Sequence, residues 1–234
     1  MDAFDRASDL WIWVVRLPPL ILAITVHEVA HGWVAQKFGD PTAADAGRLT
    51  LNPIKHIDPI GTIIVPIALY LWTPFMLGWA KPVPVNFQKL NSPRRDMILV
   101  AAAGPASNIL MAMIWTVLLV INLLYIPIWG QMNPLIADMA NFGILVNVFL
   151  AIFNMVPIPP LDGGRVLAGL LPEPMSKVLG KIEPFGILII LGLLVLDAFT
   201  QLEILLPFIL IPASKLIETF YSFGDYLLML AGVS

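Results

Sequence analysis

The sequence predicts an all-α, polytopic membrane protein: a helical bundle with one short membrane-associated β-hairpin or edge strand near Lys81–Phe87. Three observations lead there. Hydrophobic residues make up 59% of the chain and charged residues only 12%, against about 25% charged in an average soluble domain. Mean hydropathy is +0.86. Several apolar runs reach the ~20 residues that a helix needs to cross a bilayer. The chain reads as a single domain over 1–234, with a core over 10–170 and a C-terminal helical segment over 184–234.

The elements follow in chain order. Leu10 to Phe38 is the first span, opened by Trp11 and Trp13, the aromatic pair expected at a headgroup boundary. Gly39 to Pro59 is polar. Ile60 to Leu77 is apolar but broken by Pro66 and Pro74, so it reads as a dip into the bilayer rather than a crossing. Met97 to Tyr125 is a second full span, and Phe142 to Leu161 a third, ending in a proline-rich bend. Phe185 to Leu196 is strongly apolar, Asp197 to Glu203 interrupts it, and the remainder fits either a further span or an interfacial helix.

Charge sets orientation. Lys and Arg crowd Lys37 to Arg95 and Arg165 to Lys181 and are missing from Ile126 to Asn141. Basic loops stay cytoplasmic, so the N-terminus and the Ile126–Asn141 loop face the other side. The acidic start (Asp2, Asp5, Asp9) is unlike the basic region of a cleavable signal. A net charge of −3 argues against nucleic acid as a partner. Cysteine is absent, so a metal must be held by His, Asp or Glu.

His27-Glu28-Val29-Ala30-His31 lies inside the first span. On a helix this spacing puts two imidazoles on one face, four residues apart, beside a carboxylate that can serve as base: the local logic of a hydrolytic zinc site. Ionisable groups at membrane depth are costly and functional by default. Hydrolytic machinery placed there points to a bond that is also in the membrane. A catalytic zinc takes three protein ligands and leaves one position open. Asp162 is the best third ligand, because it sits in a Pro/Gly break at the end of a span that runs in the same direction as the first. Irregular backbone at that depth is tolerated only where it is buried or lines a cavity. Two neutral imidazoles, one carboxylate, a hydroxide and Zn²⁺ sum to zero charge, as a low-dielectric pocket prefers. Glu28 would then deprotonate the zinc-bound water and return the proton to the leaving amine. His56 lies in a polar loop and reads as a solvated side chain or as an auxiliary ligand.

These two stretches, His27–His31 and Asn154-Met155-Val156-Pro157-Ile158-Pro159-Pro160-Leu161-Asp162-Gly163-Gly164, together resemble the site-2 protease family of intramembrane zinc metalloproteases. Leu51–Thr62, Gly78–Asn86 and Ala103–Asn108 resemble its compact bacterial branch, which has neither PDZ nor CBS domains. The likeness covers about residues 20 to 170. Gly164 is followed by Arg165 where many relatives have histidine. The resemblance implies one Zn²⁺ per chain on His27, His31 and Asp162, with Glu28 as catalytic base. It implies Asn154 and Asn108 near the scissile bond. The alternatives are a turn residue that satisfies freed carbonyls for Asn154, and packing between helices for Asn108. The implied activity is hydrolysis of peptide bonds within transmembrane segments of membrane proteins, in the bacterial cytoplasmic membrane with the site towards the cytoplasm.

A helix must unwind to be cut. Val83, Val85 and Phe87 alternate with Pro82, Pro84 and Asn86, a period of two. Proline confines such a strand to an edge, so Val83 and Val85 are candidate partners for an unwound substrate by β-augmentation. An extended proline-rich loop is the alternative. Two other functions compete: a metal transporter or scaffold, which would need ligands along a path, and a zinc hydrolase acting on lipid. The substrate's identity and the oligomeric state leave no mark in the sequence.

Overall fold

The computed structural model describes residues 3–64, 80–124, 133–200 and 204–233. Among them eight α-helices follow in order: α1 (Ala3–Lys37), α2 (Thr42–Asp45), α3 (Pro93–Leu124), α4 (Pro134–Asn154), α5 (Asp162–Leu170), α6 (Glu173–Ile182), α7 (Gly186–Thr200) and α8 (Leu206–Leu230). Among the described residues four segments are long and apolar enough to cross a membrane: Val14–Lys37, Pro93–Leu124, Pro134–Asn154 and Glu173–Asp197. The chain is thus a multi-pass helical membrane protein. The expected dip over Ile60 to Leu77 lies mostly outside the described residues, as do the side chains of Trp11 and Trp13.

Helix α3 is the hub. It packs against α1, α4, α5 and α8. Hydrogen bonds fix the directions: His31 meets Val100, His27 meets Asn108, and Asn108 meets Asn147. Numbers fall along α1 as they rise along α3, so the two are antiparallel. Helices α1 and α4 are parallel, with Arg16 paired to Asp138 at one end and His31 beside Asp162 at the other. The shared direction expected of these two spans is what brings Asp162 to the histidine end of α1.

The main core lies between α3, α4 and α8: Ala112, Trp115, Ala140, Ile144, Val148, Ala213 and Phe220. Gly143 makes room for the Trp115 indole, since a Cβ there would lie 2.5 Å from its Cγ. A second cluster joins the proline bend to α7 and α8 through Val156, Ile190, Leu194, Leu205 and Ile209. Helix α4 starts at residue 134 rather than 142, because Asn133 accepts bonds from the backbone N–H of Leu135 and Ile136. It stops at Asn154 rather than Leu161, ahead of Pro157, Pro159 and Pro160, which cannot continue it. Asp197, in the last turn of α7, receives the N–H groups of Ile204, Leu205 and Leu206 that lead into α8.

The anticipated β-hairpin or edge strand at Lys81–Phe87 is not formed; no strand occurs among the described residues. Side chains, and one backbone carbonyl, take up the backbone groups that a sheet would have used. Lys81 N–H donates to His56 O (2.9 Å), Val83 N–H to Glu28 Oε2 (2.8 Å) and Asn86 N–H to Asp40 Oδ2 (2.6 Å). Arg48 Nη2 donates to Lys81 O (2.9 Å) and to Pro82 O (3.4 Å). Pro82 and Pro84 have no N–H to offer. The segment is an extended loop clamped against the end of α1.

Candidate metal centre

Helical spacing places His27 and His31 one turn apart on the face of α1 that looks into the bundle, and both are buried. Glu28 is half-buried beside them. Asp162 arrives from the far side as the first residue of α5, after the bend Met155–Leu161. Gly163 and Gly164 are required by that bend: a Cβ on Gly163 would lie 2.2 Å from Met155 O, and one on Gly164 2.4 Å from Pro159 N.

Three ligand atoms converge. His27 Nε2 and His31 Nε2 are 3.0 Å apart, and Asp162 Oδ2 lies 3.2 Å from the first and 3.3 Å from the second. Zinc–ligand bonds of about 2.0–2.1 Å at tetrahedral angles give a ligand–ligand edge of about 3.3 Å. The triangle fits one such ion. His31 Nδ1 lies 2.7 Å from Val100 O and His27 Nδ1 lies 2.6 Å from Asn108 Oδ1. A carbonyl only accepts, so a neutral imidazole bonded to it carries its proton on Nδ1 and a lone pair on Nε2. Three lone-pair atoms then face one another, which is unfavourable without a cation among them. Asp162 Oδ2 is buried without a hydrogen-bond partner. On the α3 side, a Cβ at Gly104 would lie 2.4 Å from His31 Nε2 and 2.6 Å from His27 Nε2. Only glycine leaves that space free.

Asn108 is fully buried between α1, α3 and α4. Its Nδ2 donates to Ala23 O at 3.2 Å and to Asn147 Oδ1 at 2.9 Å, and its oxygen meets His27. Both amide hydrogens have acceptors within the protein, and its oxygen supports His27. Asn154 sits in the last turn of α4, its Nδ2 donating to Leu150 O at 2.9 Å, the local role that was its alternative. His56 is buried rather than solvated, and its Nε2 meets Thr50 O at 2.8 Å; it stands apart from the His27, His31 and Asp162 group. Val83 and Val85 pair with no strand among the described residues. Val83 reaches α1 because Gly32 leaves room, a Cβ there falling 2.8 Å from Val83 Cγ1.

Sequence reasoning missed Val100, Asn147 and the Val83–Glu28 bond. Asn147 could have been found as a lone amide within an apolar span. The other two are backbone contacts and leave no mark in residue identity.

The fold and site are those of a helical membrane bundle with three convergent buried groups that could hold a metal ion. A family model described as "Peptidase family M50" matches residues 130–196, a stretch that holds Asp162 but not the two histidines. The YwhC protein of Bacillus subtilis is 41% identical over 177 residues, 75% of this chain and 78% of that protein. Rip2 of Mycolicibacterium smegmatis is 24% identical over 213 residues, 86% and 74% of the two chains. MJ0611 of Methanocaldococcus jannaschii is 30% identical over 161 residues, 68% and 72%. All three carry the words zinc metalloprotease in their names. No solved structure matches the chain. The chain belongs to peptidase family M50, the site-2 protease family, and is a metalloprotease of the membrane.

Proposed function

We propose that the protein is a zinc-dependent intramembrane endopeptidase that hydrolyses peptide bonds in transmembrane segments of membrane proteins. His27, His31 and Asp162 would hold one Zn²⁺. The observation that carries this reading is the triangle of 3.0, 3.2 and 3.3 Å between their ligand atoms, with Glu28 next in sequence to His27. Zinc bound there supplies Lewis acidity, making water a nucleophile near neutral pH and polarising a carbonyl.

The chain's own residues do the rest. Glu28 is the proton carrier: Val83 N–H holds its Oε2 at 2.8 Å, which leaves Oε1 to take a proton from water and pass it to the leaving amine. Val100 and Asn108 hold the two imidazoles by their Nδ1 atoms, keeping the Nε2 atoms on the metal. The basic residues of Lys37–Arg95 and Arg165–Lys181 support a site towards the cytoplasmic side of a bacterial inner membrane.

The test pairs two variants of the purified protein. Asp162→Ala should lose zinc by metal analysis. Glu28→Gln should keep zinc at wild-type stoichiometry and cleave a single-span substrate at least ~100-fold more slowly. Full zinc in Asp162→Ala, or undiminished cleavage by Glu28→Gln, would sink the reading. A transporter or scaffold would survive the second change.

A further inference from the structure

The hydrogen bonds behind His27 do not stop at Asn108. Asn147 on α4, fully buried like Asn108, accepts from Asn108 Nδ2 at 2.9 Å and donates its own Nδ2 to Gly143 O at 2.8 Å. The run therefore starts on two backbone carbonyls, Gly143 O on α4 and Ala23 O on α1. Carbonyls accept and never donate, and this forces the sense of every link. Gly143 O requires the Nδ2 of Asn147, which turns the Oδ1 of Asn147 towards Asn108. That oxygen and Ala23 O both require the Nδ2 of Asn108, which turns the Oδ1 of Asn108 towards His27. An amide oxygen there requires a proton on His27 Nδ1, and the lone pair is left on Nε2.

We propose that Asn147, which touches neither the ligand atoms nor Glu28, is a positioning residue that fixes the tautomer of His27 through Asn108. Its partner imidazole needs no such relay, since Val100 O binds His31 Nδ1 directly at 2.7 Å. The proposal deepens the zinc reading and rests on it for its consequence, but the tautomer itself is a property of the metal-free protein.

Three histidines in the chain make ring-¹⁵N labelling tractable. Two variants of near-equal shape separate the relay from simple packing. Asn147→Thr keeps a hydroxyl able to donate to the carbonyl four residues back, as Thr116 does to Ala112 O at 3.0 Å, while accepting from Asn108. Asn147→Val has neither function. In the metal-free wild type, the nitrogen spectrum should show Nδ1–H for both His27 and His31. Asn147→Val should give mixed tautomers at His27 with His31 unchanged, and a zinc affinity, by chelator competition, about 10-fold weaker, at the low end for loss of an outer partner. Asn147→Thr should stay nearer the wild type in both measurements. An Nε2–H tautomer at His27 in the wild type overturns the proposal. So does an identical His27 signature and zinc affinity in Val and Thr variants. A wild type with Nδ1–H at His27 that binds no zinc overturns the metal reading and leaves the relay standing.

Discussion

Two regions hold the site, and they hold it by different means. The imidazoles are fixed from inside the bundle, by a helix carbonyl at Val100 and by the buried amide of Asn108. Glu28 is fixed from outside it, by the N–H of Val83 in an extended loop. That loop has no ladder of its own and is tied down by Asp40, Arg48 and His56. Helix packing sets the first region; a few side-chain clamps set the second. Metal binding and proton transfer should therefore be separable by mutation, even though His27 and Glu28 are adjacent in sequence.

The strongest way to break the bundle side is Gly104→Ala. Its Cβ would fall on both Nε2 atoms, neither of which can retreat without losing its Nδ1 bond. Metal analysis should show loss of zinc comparable to that in Asp162→Ala. Next is Asn108→Ala, which removes the partner of His27; zinc affinity by chelator competition should fall about 10- to 100-fold. On the loop side, Arg48→Ala frees the carbonyls of Lys81 and Pro82. Zinc content should be unchanged while cleavage drops about 10-fold, as expected when a positioned proton carrier loses its support. Loss of zinc in that variant would erase the contrast between the two regions.

A gentler probe of the loop is pH. Asp40 is buried, which pushes its carboxyl up, but bonds from Thr42 and from Asn86 N–H outweigh this and hold it below the usual carboxylate range. A depressed pKa stabilises the fold at any pH above the ordinary value of ~3.9, and the contribution is lost as pH falls through the folded value. Limited proteolysis within 80–89 should rise below about pH 4 in the wild type. In Asp40→Asn it should already be raised at neutral pH. The smallest effect is expected at Val100→Ala. The carbonyl that binds His31 stays, so zinc affinity should hold, while thermal stability falls by about 1–2 kcal/mol for two buried methyls.

The outer description was legible in residue identity. The apolar runs gave the spans of α1, α3 and α4 because burial in lipid demands continuous hydrophobicity, which shows in sequence whatever the tertiary contacts are. His27, Glu28, His31 and Asp162 stood out for the same reason, as ionisable groups where such groups are expensive. The alternation at Val83–Phe87 misled, because periodicity reports which side chains share a face and not what the backbone bonds to. Here Glu28, Asp40 and Arg48 took the groups that a neighbouring strand would have used. The resemblance put Asn108 near the substrate; the partners of its two amide hydrogens, Ala23 O and Asn147, appear only in the structure.

Sequence by itself thus determined a polytopic helical chain and the four residues of its candidate centre, since composition and helical spacing are local properties. Only the tertiary structure decided that α1 and α4 run side by side in one direction, that Gly104 on α3 leaves room for the two imidazoles, and that a helix carbonyl and two asparagines orient them. Those are distances between residues 39 to 135 positions apart in the chain, and no local pattern encodes them.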